Sequence, residues 1–468
     1  MGELHHHGPF ADGRGDSLGG SGPDVARREY SRAVATDRVR NEIVIPAAAR
    51  RIWDPLTDVE RWPHGIARMA LRLLAAIPPP LATAVGISIS AHVAVYGLSP
   101  ILSLHVVALG GSATQVGGLF SVFALVAVVL RPLAGVWIDR HGIRPALLTG
   151  AALIVLTSLA LQAAGAPVTL IVLMAVFGVG FGLTTMAAAV LAASAPAEHR
   201  ASALSVYYLA APVSIALAAP LALWLFRSVG ASANFAAVTL LGLATAAFGL
   251  SSHVGAARRT GPVARRITLW SWGAAPLSSV LAVAAMGQSS LYAFVPLHAT
   301  GHGQAAYLPW FFGIYSTAMI AFRVGLSRVA DRWGRRLLPV PALVLLAAGF
   351  GVLSATPTPL RLTLAAVLLA AGSAALYPTI MTLVVDRIPD RERGVAMGMV
   401  SGAWDLGTFA GSLLIAGVVE HASHGAGFLA AAAFPIAALG GFFLVERRRS
   451  RDSYRDRPRA VSAPRPEA

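Results

Sequence analysis

Between residues 82 and 445 the chain alternates apolar runs with short polar breaks. Twelve runs stand out, at 82–104, 112–134, 145–165, 168–192, 203–226, 232–254, 273–297, 306–328, 338–356, 361–385, 395–418 and 424–445. Each holds about 20 residues, enough for a helix to cross a hydrocarbon core of roughly 30 Å. Prolines inside the runs, such as Pro212, Pro220 and Pro378, do not argue against helix, because membrane helices tolerate them. The pattern predicts an all-α polytopic membrane protein with twelve transmembrane helices.

The flanks differ in character. Residues 1–81 read as a disordered or amphipathic tail, with Gly19-Gly20-Ser21-Gly22-Pro23 and a basic amphipathic stretch at 66–77 that Pro78-Pro79-Pro80 ends. Met69, shortly before the first run, is an alternative start. The breaks set a boundary in the middle as well: 82–254 and 273–445 hold six runs each, joined by a linker at 255–272. Trp270 and Trp272 close that linker as interfacial anchors. Residues 446–468 form a basic tail.

Composition agrees with the pattern. Hydrophobic residues make up 56% and charged residues 13%, against roughly 25% charged in soluble domains. Mean hydropathy is +0.66. The formal charge of +15 is carried by arginine, since the chain has no lysine. The arginines fall on one side of the runs: Arg140, Arg144, Arg200, Arg258, Arg259, Arg265, Arg266, Arg332, Arg335, Arg336, Arg387, Arg391, Arg393 and Arg447–Arg449. Only Arg227 and Arg361 stand out on the other. That asymmetry makes the first side cytoplasmic, with both termini inside. No basic–aromatic module suggests a nucleic-acid partner. The absence of cysteine excludes disulfides, iron–sulfur clusters and thiol chemistry.

The two halves repeat one another. Arg131, Asp139, Arg140, Gly142 and Arg144 recur as Arg323, Asp331, Arg332, Gly334 and Arg336, 192 positions on. Ala195–Arg200 before span five matches Ile388–Arg393 before span eleven, and Phe120 matches Phe312. Two parallel six-helix repeats joined by a cytoplasmic loop indicate a two-bundle transporter.

The stretch Gly135-Val-Trp-Ile-Asp139-Arg140-His-Gly142-Ile-Arg144 resembles the span 2–3 loop motif of the major facilitator superfamily. The second copy carries Ser327 where that motif has Gly. Trp404-Asp405-Leu-Gly407 with Gly411 in span eleven is similar to bacterial arabinose-efflux and drug-exporter-like permeases. The resemblance implies two bundles that rock about a central cavity, working as a monomer in a bacterial inner (plasma) membrane. It further implies a cytoplasmic latch built from Gly135, Asp139, Arg140, Gly142, Arg144, Asp331, Arg332, Gly334 and Arg336. Span four holds Gly178, Gly180 and Gly182, but Met174 stands where proton-coupled antiporters place Arg. The glycines therefore read as close helix packing.

Ionisable residues inside a span are costly and usually functional. Asp405 lies ten residues into span eleven, about 15 Å deep, where it can carry a coupling proton, contact a substrate cation, or pair with Arg131 or Arg323. Those two arginines, eight residues before the motif aspartates, serve either as anion ligands or as gate residues. His92 with Tyr96, and Gln288 with Tyr292, stand four apart and share helical faces. Tyr207, Tyr377 and Trp404 join them as candidates for the substrate cavity, and Tyr208 as a neighbour. Glu420 and His421 at the outer end of span eleven read as solvated. No hydrolase, metalloprotease or phosphate-loop motif is present. The expectation is a transporter rather than an enzyme, needing no cofactor or metal. Its partners are a small organic solute, protons and the lipid bilayer, and efflux is favoured over import or a sensor role.

Overall fold

The computed structural model describes residues 78–194, 200–251, 270–333, 336–389 and 392–455. The tail helix expected at 66–77 lies outside them. Every regular element among the described residues is helical: α1 (Pro79–Ala108), α2 (Ala113–His141), α3 (Ile143–Leu161), α4 (Pro167–Ala193), α5 (Arg200–Val229), α6 (Ala231–Ser251), α7 (Ala275–Gln288), α8 (Ser290–Gly301), α9 (Leu308–Trp333), α10 (Pro339–Leu353), α11 (Pro359–Arg387), α12 (Arg393–His421) and α13 (His424–Arg455), with a short 3₁₀ turn at Ala305–Tyr307. Ten segments are long and apolar enough to cross a membrane, α7 and α8 together forming one of them. Two shorter apolar helices, Val213–Val229 and Pro339–Leu353, accompany them.

Local chemistry sets the helix ends. The proline run opens α1, where Pro79 stands at a position that needs no N–H. Ser112 caps α2 through a reciprocal capping box with Gln115. Gly142 ends α2 at φ +92 with its N–H on Ile138 O at 2.7 Å, the turn that the loop motif requires of a glycine. Helix α13 runs ten residues past the expected end of the last span, where Glu446 binds Arg387 of α11 at 2.6 Å.

The seventh apolar run comprises α7 and α8, which meet at Ser289; that residue keeps helical angles (φ −58, ψ −27) and donates to Ala285 O at 3.0 Å. Gly287 precedes two serines whose hydroxyls turn back onto Met286 O and Gly287 O, both at 2.7 Å. One turn on, Pro296 lacks an N–H for Tyr292 O. That carbonyl accepts instead from Ser103 Oγ of α1 at 3.2 Å. A sequence-imposed gap in one helix thus becomes a contact between the two halves.

The second half repeats the packing of the first. Helix α1 packs on α4, α5 and α6, and α7 on α12 and α13; α3 packs on α4 and α6, and α10 on α11 and α13; α2 packs on α4, and α9 on α11. The expected glycine packing in α4 is present: a Cβ on Gly180 would meet Gly150 O at 2.8 Å, and one on Gly178 would meet Phe123 and Val126 at 3.3 Å.

Three main pairings join the halves, α2 with α12, α5 with α9, and α1 with α8, and α8 also touches α2. Their hydrogen bonds lie in the middle or in the half away from the arginine-rich end. They run from Thr114 N to Glu420 Oε2 (3.0 Å), Ser121 Oγ to Phe409 O (2.8 Å), Ser316 Oγ to Ile215 O (3.1 Å) and Ser103 Oγ to Tyr292 O. Glycines on the α2–α12 seam trace the same gradient. A Cβ on Gly117 would sit 2.3 Å from Ala416 Cβ and 2.5 Å from Ser412 O. Five turns along the same face of α2, a Cβ on Gly135 would meet no described atom within 4 Å. Gly398 and Gly402, on the α12 stripe that also carries Asp405 and Phe409, are equally clear. Among the described residues, the close contacts between the halves therefore lie in the middle and away from the arginine-rich end.

Candidate functional site

Midway along the helices, polar and aromatic side chains from both halves converge. Helix α1 contributes His92 and Tyr96, one turn apart with rings stacked at 6.1 Å. His92 Nδ1 is held by Ser88 O at 2.7 Å, and its ring meets the edge of Phe181 from α4 at 5.3 Å. The Tyr96 ring meets Tyr292 of α8 across the interface at 5.5 Å. Tyr292 stacks on Phe312 of α9, at 5.5 Å and 14°. On the far wall, Tyr377 of α11 makes an edge contact with Trp404 of α12 at 5.5 Å and bonds Ser401 Oγ at 2.9 Å. The Tyr96 hydroxyl lies within Coulombic reach of Arg323, Asp405, Tyr315 and Tyr377. His92, Tyr96, Gln288, Tyr292, Arg323, Tyr377, Trp404 and Asp405 are all partly exposed although they sit deep within helices, as cavity-lining groups are.

The Arg323 guanidinium has its Nε buried without a hydrogen-bond partner. A buried donor of this kind is costly unless an acceptor visits it. One cation and one carboxylate, set among tyrosines and a tryptophan, suit a small organic molecule with a flat apolar body and polar ends.

The structure brings together most of the expected cavity residues, with one difference. Gln288 and Tyr292 stand four apart across Ser289, which keeps helical angles, and their side chains meet different neighbours. Gln288 donates through Nε2 to Ser373 Oγ of α11, while Tyr292 faces α1 and α9. Tyr207 stands apart from the cluster. It is 5% exposed, packs with Ile138 and Ile143, and donates to Thr185 O at 2.8 Å. A tyrosine satisfied by a neighbouring helix carbonyl is a packing element there.

Of the expected latch, Arg140, Arg144 and Arg336 are exposed. The side chains of Arg131, Asp139, Asp331 and Arg332, and all of Gly334, lie outside the described residues. Arg336 shares the end of its bundle with Arg387, Glu446 and Arg449.

Several contributors escaped the sequence reading. Tyr315, 3% exposed, hydrogen-bonds Ser373 and lies in the field of Arg323. Glu420, expected to be solvated, accepts from Thr114 N and ties the end of α12 to the start of α2. A signal for the α1–α8 pairing was present in the sequence. His92, Tyr96 and Pro100 correspond to Gln288, Tyr292 and Pro296 at an offset of 196, four longer than the loop-motif offset. The shift hides the match from a search at one spacing. The glycines of the Trp404–Gly411 stretch have a packing role: Cβ atoms on Gly407 and Gly411 would meet Ala282 O and Met286 O of α7 at 2.1 and 2.2 Å. Among the described residues no group of three or more His, Asp or Glu is arranged to hold a metal ion.

The family model of the Major Facilitator Superfamily matches residues 84–270 and 277–466. The uncharacterized MFS-type transporter STM4428 of Salmonella typhimurium is 29% identical over 201 residues, 41% of this chain and 49% of that protein. The multidrug efflux pump LfrA of Mycolicibacterium smegmatis is 30% identical over 146 residues, 30% of this chain and 28% of the pump. The chain thus spans about half of one relative and under a third of the other. Among solved structures, the nucleoside transporter NupG aligns over 78% of this chain and 98% of its own, with a TM-score of 0.64 at 13% identity. A POT family transporter in complex with a thioalcohol-conjugated peptide aligns over 80% and 97%, with a TM-score of 0.66 at 13% identity. The chain belongs to the Major Facilitator Superfamily, in keeping with its ten segments long and apolar enough to cross a membrane among the described residues.

Proposed function

We propose that this transporter moves a small amphipathic organic solute, a metabolite or drug, out of the cell by alternating access in exchange for protons. The observation that carries the proposal is the position of Tyr96. Its hydroxyl, on the first half, lies in the joint field of Arg323 and Asp405 on the second. A solute bound among these groups touches both halves, so its binding free energy differs between the two ways the halves can tilt. Asp405 is the proposed proton carrier and Arg323 the proposed anion ligand. Arg131, the matching position in the first half, is the proposed gate partner.

The arginine-rich end is proposed to be cytoplasmic, which puts twelve spans in the bilayer of a bacterial inner membrane, both termini inside, and working as a monomer. On that orientation the described contacts between the halves lie toward the outside, and the cytoplasmic end is proposed to open and close. The loop motifs, with Asp139 and Asp331 at their centres, would engage when the cytoplasmic end closes. The likeness to LfrA over part of the chain favours export over import.

Proteoliposomes test the proposal. A pH gradient should drive uptake of a fluorescent amphipathic cation or zwitterion against its own gradient, and Asp405→Asn should leave downhill exchange while removing the drive. Full proton-driven accumulation by Asp405→Asn, or a solute moved only inward down an imposed proton gradient in right-side-out vesicles, would defeat the coupling or the direction respectively.

A further inference from the structure

Three histidines gather at the sealed end of the second half, well away from Asp405. His298 lies near the end of α8 and is 3% exposed. His302 caps the same helix at the surface, with its ring 4.8 Å from His298. His424 opens α13, and its ring stacks on His298 at 5.9 Å and 25°. Phe428, one turn further along α13, closes the pocket at 5.3 Å.

The hydrogen bonds define the protonation that fits. His298 Nε2 stands 3.3 Å from Ala355 O, so this nitrogen carries the hydrogen. His298 Nδ1 is buried with no partner, as is His424 Nε2. A bare lone pair on Nδ1 is tolerable. An added proton would create a buried donor and a charge facing a phenyl ring and another imidazole. The groups that face His298 are His302 from its own helix, His424 from α13, and the carbonyls of Leu353 and Ala355 from the α10–α11 segment. That segment also carries Arg361 at the surface, bound to Thr356 O at 2.9 Å. None of these is a carboxylate that would hold an imidazolium in place.

The pocket cannot simply widen. A Cβ on Gly425 would meet Ser354 O at 2.6 Å, so the start of α13 is pressed against the end of α10. The movable partner is α8. It is 12 residues long, lacks one internal backbone bond at Pro296, and carries at its base the Tyr292 carbonyl that Ser103 of α1 binds.

We propose that His298, His302 and His424 form a proton-binding site, and that protonating it levers α8 off α13 and loosens the α1–α8 seal. His298 is the buried acceptor, and His302 covers it at the surface. The site is independent of Asp405; only the statement that its protons come from outside the cell rests on the orientation proposed above.

Distance measurements between spin labels test this without a transport assay. The chain has no cysteine, so Val107→Cys on α1 and Thr300→Cys on α8, both exposed positions, give one defined pair in full-length protein in nanodiscs. Acidification from about pH 7.5 to 5.5 should raise a longer-distance population. The expected change in its ratio to the sealed population is about tenfold, the shift set by one unit of difference in proton affinity between two states. His298→Gln should keep the sealed distribution at both pH values, and His424→Gln should reduce the response, which covers the case of a His298 variant that fails to fold. An unchanged distribution in the parent protein, or a response that survives His298→Gln, would overturn the proposal. Failure of proton-driven transport with the distance response intact would count against Asp405 as carrier and leave this site standing.

Discussion

Replacing Gly117 by valine should unseal the end of the molecule that this structure holds shut. A Cβ at this position would lie 2.3 Å from Ala416 Cβ and 2.5 Å from Ser412 O, and the second obstacle is backbone that no rotamer change can clear. Overpacking of this kind costs about 1–3 kcal/mol. The cost falls only on the sealed arrangement, because the halves must separate here when the opposite end closes. The equilibrium should therefore move by about 5- to 150-fold toward the unsealed state. Ser121, 2% exposed and bonded to Phe409 O across the same seam, reports the change. With Ser121→Cys as the sole cysteine, a membrane-impermeant maleimide should react slowly in the parent and faster in the Gly117→Val background by that factor. Gly402→Val, at a position with no described atom within 4 Å of a Cβ, should leave labelling slow or slow it further by hindering closure of the other end. Equal labelling rates in a Gly117→Val protein that remains monodisperse would refute the seam as a state-dependent contact. A fall in thermal stability without faster labelling would mean that both states carry the cost.

Other outcomes follow from the same geometry. Glu420→Gln removes the charge from the α2–α12 clasp and should accelerate Ser121→Cys labelling less than Gly117→Val does; no change would show the clasp to be incidental. Tyr96→Phe should leave folding intact and weaken solute binding by about 0.5–1.5 kcal/mol, the net value of one hydrogen bond, as read by titration calorimetry. Tyr207→Phe leaves Thr185 O without its donor and should lower the melting temperature while solute affinity stays the same, the reverse of the Tyr96 result. Asp139→Asn should impair transport turnover more than Asp331→Asn, since the second motif copy carries Ser327 for glycine; equal losses in stopped-flow efflux would contradict that ranking.

The length and period of the apolar runs, the doubled loop motif and the depth of Asp405 were all legible from the sequence, because each is a property of one helix or of a fixed spacing. The turn at Gly142 belongs with them: a motif that ends a helix needs a residue free to take positive φ, and the helix ends there at φ +92. The glycines of α4 were also readable, since small residues in a membrane span have little other use than close approach. What the tertiary structure decided was which polar groups meet. Tyr96 and Tyr292 touch although the sequence places them 196 residues apart, and Ser373 serves both Gln288 and Tyr315 from a third helix. Tyr207 was a sound candidate by type and span, yet the rotation of α5 turned its hydroxyl onto α4. Glu420 looked solvated because nothing local marks it, and its partner lies 306 residues away. Helix formation is fixed by neighbours within a few residues, whereas a site between two bundles depends on helix rotation and crossing. Those are set by the packing of the whole interface and by the carbonyl that Pro296 leaves open.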